Sequence, residues 1–76
     1  MSETKIRLRE FDDIKEFVNA AERCDYDVDV CSDRLVVDAK SLMGILSMDL
    51  SNVLTVKYSE KDMHFANVLN KYAISV

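Results

Sequence analysis

Seventy-six residues suffice for one small domain, and folding at this size buries only about 60% of the surface that the unfolded chain exposes. Apolar residues make up 49% of the chain and charged residues 32%, which is ordinary for a globular protein. The net charge is −4 and the ten basic residues are scattered; a nucleic-acid partner would need a basic stripe, and no apolar run approaches the roughly 20 residues that span a bilayer.

Residues 4–10 alternate, with Ile6 and Leu8 on one face and Lys5, Arg7 and Arg9 on the other, which predicts a half-buried strand. Over residues 12–24 the period changes: Ile14, Phe17, Val18 and Ala21 form one stripe of a helix whose first turn carries Asp12 and Asp13. Residues 25–31 return to a period of two, with Tyr26, Val28 and Val30 set against Asp25, Asp27, Asp29 and Cys31. Ser32-Asp33-Arg34 is a short turn and residues 35–39 a second strand of this pair.

Ser41 opens a second helix that runs to about Asp49, and Leu50-Ser51-Asn52 turns the chain. Leu54, Val56 and Tyr58 alternate with Thr55 and Lys57 in a fourth strand. Ser59 and Asp62 have the spacing of a loose capping box, and the last helix places Phe65, Ala66, Leu69, Tyr72 and Ala73 on one face. No linker, repeat or low-complexity segment interrupts residues 1–76, so a single domain is expected.

The element order is therefore βαββαβα. Each strand has one polar and one apolar face, and every helix has an apolar stripe for the same sheet. The fold class is α+β: a two-layer open-faced sandwich, one antiparallel sheet with helices on one face and water on the other. Local patterning leaves the strand order open, because a ferredoxin-like order shares the first six elements.

Several constellations have plain explanations. Asp25, Asp27 and Asp29 open like a calcium loop, but its sixth and twelfth positions hold Val30 and Val36 where glycine and glutamate are needed. Glu10, Asp12 and Asp13 have nothing apolar or cationic placed to split their pKa values for acid–base work. The only histidine, His64, stands off the expected stripe of the last helix and has no visible orienting partner; a solvated surface position is expected. Cys24 and Cys31 are separated by seven extended residues, roughly 20 Å, whereas a disulfide needs Cα atoms within about 7 Å. Both are expected as free thiols in a reducing compartment. Met1-Ser2-Glu3-Thr4-Lys5 lacks an apolar signal core, so a cytoplasmic location is expected. No nucleophile–base pair, zinc spacing, phosphate loop or cofactor signature is present; no enzyme activity, metal or cofactor is expected.

The most specific stretch is Val37-Asp38-Ala39-Lys40-Ser41-Leu42-Met43-Gly44-Ile45-Leu46-Ser47-Met48-Asp49. A strand ends, Ser41 is placed to cap a helix, and that helix is apolar nearly all round and holds the chain's only glycine. This resembles the serine-site segment of the HPr family, the phosphocarriers of the bacterial sugar phosphotransferase system. The resemblance covers residues 25–73 well and residues 4–24 in element order only. It implies strand order 1-4-2-3 with three helices on one face, and it accounts for the C-terminal helix. In that order Arg7, Arg9 and Lys57 would lie beside Asp27 and Asp29 on a solvated, mixed-charge open face.

In the family a loop after the first strand carries a phosphorylated histidine, with an arginine and a proline at the start of the first helix. Here the chain runs Arg9-Glu10-Phe11-Asp12-Asp13-Ile14, shorter, acidic and without histidine or proline, so no residue is carried over as the phosphohistidine. The resemblance makes Ser41 a possible regulatory phosphorylation site besides its role as helix cap. It makes Leu42, Met43 and Leu46 candidate docking residues, since the family's second helix carries an apolar patch for enzyme I and other partners; Ile45 is the core candidate. The expected function is that of an HPr-like domain without phosphocarrier activity, a non-enzymatic protein-binding or regulatory module. The alternatives are a phosphoacceptor modified at Ser41 and a homo-oligomer paired through the second helix.

Overall fold

The computed structural model describes residues 2–33, 35–59 and 63–74. Its elements are β1 (Ser2–Ile6), α1 (Phe11–Glu22), β2 (Val28–Ser32), β3 (Leu35–Asp38), α2 (Leu42–Leu46), β4 (Leu54–Tyr58) and α3 (Met63–Tyr72). The strands form one antiparallel sheet in the order β1-β4-β2-β3. This is the open-faced βαββαβα sandwich, with the helices packed on one face.

The registers explain which side chains reach the core. Thr4, Val56, Val30 and Val37 lie in one row across the four strands, and Glu3, Lys57, Asp29 and Asp38 in the next. Because neighbouring rows face opposite sides, the valines go under the helices and the charged row goes to water. Ile6, Val28, Val30, Leu54 and Val56 are fully buried from the sheet, and Phe17, Ile45 and Phe65 from the helices. Phe65 sits between Phe17, at 6.3 Å between ring centroids, and Tyr58, edge-on at 5.8 Å. A buried side chain of this kind is worth about 1.5–3 kcal/mol over an exposed one. The Tyr58 hydroxyl shares a hydrogen bond with Thr4 Oγ1 at 2.7 Å.

Several boundaries differ from those read in the sequence. β1 ends at Ile6, not residue 10, because its partner β4 begins at Leu54, directly opposite Ile6. Beyond that point the chain stays extended enough to bury Leu8, so the alternation outlives the ladder. Arg7 and Arg9 consequently lie past the strand, and Asp27 lies before β2. Of the expected open-face charges, Lys57 stands opposite Asp29 and Glu3 and makes a 3.8 Å ion pair with Glu3. α2 stops at Leu46, not Asp49, because Ser47 closes it: its hydroxyl donates to the Gly44 carbonyl at 2.6 Å and its N–H to the Met43 carbonyl at 3.1 Å. Asp49 instead begins the following turn by accepting the N–H of Ser51 at 3.1 Å.

In α3 the buried residues are Phe65, Val68 and Leu69. Ala66 and Tyr72 are half-buried, and Ala73 lies beyond the helix, exposed, bridging to Ile6. Asp62 of the expected capping box lies outside the described residues. Both cysteines are free, Cys24 buried and Cys31 half-buried. Among the described residues, no helix is long and apolar enough to cross a membrane.

Candidate functional site: the Ser41 cap and the exposed face of α2

The site begins where β3 runs out. The Asp38 side chain accepts the N–H of Lys40 at 2.9 Å and its carbonyl accepts the N–H of Ser41 at 3.0 Å. These bonds turn the chain off the sheet. Ser41 is extended (φ −103°, ψ 106°) and caps α2, its Oγ accepting the N–H of Gly44 at 3.1 Å and its carbonyl the N–H of Ile45 at 3.1 Å. A serine cap of this kind satisfies one of the donors that a helix start leaves free. Lys40 Nζ donates to the Cys24 carbonyl at 3.0 Å, tying the turn to the end of α1.

Gly44 has a packing reason. A Cβ there would lie 3.2 Å from Ser41 Oγ and 3.4 Å from Val37 Cβ, so the absent side chain lets α2 press onto β3. Around that glycine the apolar residues divide. Ile45 is fully buried and Met48 nearly so. Leu42 is half-buried and packs against the core. Met43 and Leu46 point outward, 78% and 41% exposed. Five residues cannot bury apolar side chains all round, and the surplus forms an apolar spot next to the cap.

At the start of α1 the sequence offered no histidine, and the structure shows how the position is used. Glu10 is the N-cap and forms a capping box with Asp13. The Asp13 carboxylate accepts the N–H of Glu10 at 3.2 Å and of Arg9 at 3.3 Å. With Asp12 alongside, this helix end is filled by its own carboxylates, which complement the positive end of the dipole. His64 is exposed in the first turn of α3 and shares the surface cleft between α1 and α3, about 570 Å³, with Arg23, Asn19 and Val68. Among the described residues no group of His, Cys, Asp and Glu is arranged to hold a metal ion.

One polar cluster has no local signal in the sequence. The Tyr72 hydroxyl and Lys71 Nζ, the latter at 3.0 Å, both donate to the Glu16 carboxylate, joining α1 to the end of α3. The tyrosine hydrogen bond, then Lys71, holds the Glu16 carboxyl below its ordinary range. Burial, and then Glu16, push the Tyr72 phenol well above its own. Glu16 lies more than fifty positions from Lys71 and Tyr72; only the antiparallel packing of α1 and α3 brings them together.

Comparison with known proteins agrees with this geometry. The family model described as "PTS HPr component phosphorylation site" matches residues 13–72, and the chain belongs to the HPr family. The match begins inside α1, at Asp13, and takes in the Ser41 turn and α3 to its end. Among solved structures, HPr-C-His from Thermoanaerobacter tengcongensis is similar at 24% identity and a TM-score of 0.76, with 93% of each chain covered. The phosphocarrier protein HPr from Bacillus anthracis strain Ames is similar at 22% identity and a TM-score of 0.70, again over 93% of each chain. At these identities the likeness is one of fold. No curated protein sequence matches the chain.

Proposed function

We propose that residues 1–76 form one HPr-related domain that does not carry phosphate on histidine and instead works in the cytoplasm as a non-enzymatic protein-binding or regulatory module of the phosphotransferase system. The observation that carries this reading is the start of α1. A phosphohistidine site needs a histidine held beside helix N–H groups and a cation, because phosphate brings close to two negative charges. Here that end is capped by Glu10 and Asp13 with Asp12 beside them, and the chain's one histidine lies on α3. Phosphate at the end of α1 would meet carboxylates.

The binding surface in this reading is α2. Met43 and Leu46 stand one turn apart and exposed, with Leu42 half-buried beside them. Methionine and leucine on a short helix give an adaptable apolar contact, and the family implies protein partners of the phosphotransferase system for this helix. Capture of partners from the native host with the wild-type chain and with Leu46→Asp tests the reading: the variant loses the partner and keeps its fold. A partner retained equally by both chains contradicts it.

A second reading is favoured by the Ser41 cap itself. The Ser41 oxygen already faces the first N–H groups of α2, so a phosphate placed on it would meet positive partial charge rather than repulsion. Modification there would add negative charge directly beside the Met43–Leu46 surface and thereby regulate it. Ser41→Ala that retains partner binding but loses its regulation supports this form.

A further inference from the structure

The cleft between α1 and α3 has its charge sorted along its length. Asp12, Asp13 and Glu16 line one end, where Lys71 donates to Glu16 and offsets that one carboxylate. The charges of Asp12 and Asp13 remain. The other end holds Arg23, which caps the end of α1, and His64, from the first turn of α3. Between the two ends the exposed Asn19 stands at the rim, and the buried Ala20 and Val68 form an apolar floor. Among the described residues neither Asp12 nor Arg23 has an ion-pair partner.

A single ion contact at an exposed site is worth little, so a simple anion or cation that uses one end of the cleft gains little. A ligand with both charges, spaced to match, uses both ends and the floor between them. Asp12 and Arg23 lie about 16 Å apart along the axis of α1. Allowing for the reach of their side chains, the charges to be bridged are about 10 Å apart, the length of three extended residues. The hydrogen bonds from Lys71 and Tyr72 to Glu16 hold the two helices together at this spacing, so the cleft is formed before any ligand arrives.

We propose that the α1–α3 cleft binds a short linear peptide of about three residues with free ends, its ammonium beside Asp12 and Asp13 and its carboxylate between Arg23 and His64. The Asn19 side-chain amide, which both donates and accepts, meets the peptide groups in the middle, and small apolar side chains cover Val68. The volume of about 570 Å³ falls within the roughly 300–1,000 Å³ of small-ligand sites. The site involves no residue of α2, so it stands or falls separately from the docking surface there. With exposed ion contacts at both ends, the affinity is low.

Titration with trialanine, followed through the backbone amide signals by NMR, tests this. Saturable shifts at Asn19, Arg23, His64 and Val68 are expected at roughly millimolar peptide, and none with alanine, which is too short to bridge the two ends. Blocking one end of the peptide, as trialanine amide or N-acetyl-trialanine, weakens binding about threefold or more. Arg23→Gln weakens trialanine to the same degree and removes its advantage over the amide; Asp12→Asn removes its advantage over the N-acetyl form. Both variants keep the circular dichroism of the parent chain, and Met43→Asp leaves the titration as it was. The absence of saturable shifts with trialanine overturns the proposal. So does equal binding of the free and both blocked peptides, or a preference for the free peptide that survives both Arg23→Gln and Asp12→Asn.

Discussion

Ser41 and Gly44 are fitted to each other: the serine oxygen accepts the glycine N–H at 3.1 Å, and a methyl group on that glycine would stand 3.2 Å from the same oxygen. Helix cap and helix packing therefore compete for one small space, and the two positions should be energetically coupled. Ser41→Ala is expected to cost about 1 kcal/mol through loss of the cap. Gly44→Ala gains about 0.8–1 kcal/mol in helix propensity but must displace the cap oxygen, so alone it is near neutral. In the Ser41→Ala background that obstacle is gone, and Gly44→Ala should stabilise by close to its full propensity. Denaturant unfolding of the four chains measures the coupling; strict additivity would show that the 3.2 Å approach has no energetic weight.

Ile45 and Leu46 are neighbours in sequence with opposite roles. Ile45→Ala empties a fully buried position and is expected to cost about 2–5 kcal/mol. Leu46→Asp places a charge on the accessible side of α2 and should change stability by roughly 0.5 kcal/mol or less. Thermal unfolding of the two variants checks this split. If Leu46→Asp unfolds the domain, Leu46 belongs to the core and α2 loses its claim as a docking surface.

The Glu16 clasp predicts a pH dependence with a definite sign. The folded-state pKa of Glu16 is lowered, first by the Tyr72 hydroxyl and then by Lys71. A lowered carboxyl contributes stability that is present above the unfolded-state value, about 4.3, and is lost as the pH falls through the folded-state value. Tyr72→Phe removes the leading cause, so the Glu16 carboxyl should titrate higher, and the acid-side loss of stability that belongs to this group should shrink. Following the Glu16 side-chain carboxyl by NMR on acidification measures it directly. An unchanged Glu16 titration in Tyr72→Phe would show that Lys71 alone sets it.

Much of this molecule can be read from period and composition, and the exceptions have physical causes. β4 shows the same limits in pattern and structure, Leu54–Tyr58, because it is a central strand, paired along its whole length with β1 and over most of it with β2. The alternation over residues 4–10 predicts a longer β1 than the ladder holds because Leu8 is buried without a ladder partner, and burial is what periodicity detects. The pattern carries α2 past its true end because Ser47 ends it with a hydroxyl-to-carbonyl bond that leaves no mark on the hydrophobic pattern, while Met48 continues the pattern into the core. In α3, Val68 replaced Ala73 on the buried face, since the helix stops at Tyr72. The Ser41 cap was legible because capping is local, acting over three residues. The Glu16–Tyr72–Lys71 cluster was not, because its members meet only through the packing of two helices.

Whether this HPr-family chain accepts phosphate on histidine is decided by mass measurement after phosphotransfer. The chain is incubated with enzyme I and phosphoenolpyruvate, beside a family member that carries the histidine, and intact masses are read before and after acid treatment. The control should gain one phosphoryl group, about 80 Da, and lose it in acid. No acid-labile gain is expected on this chain, because the start of α1 holds Glu10, Asp12 and Asp13 in place of a histidine and a cation. An acid-labile phosphoryl group mapped to His64 would contradict it.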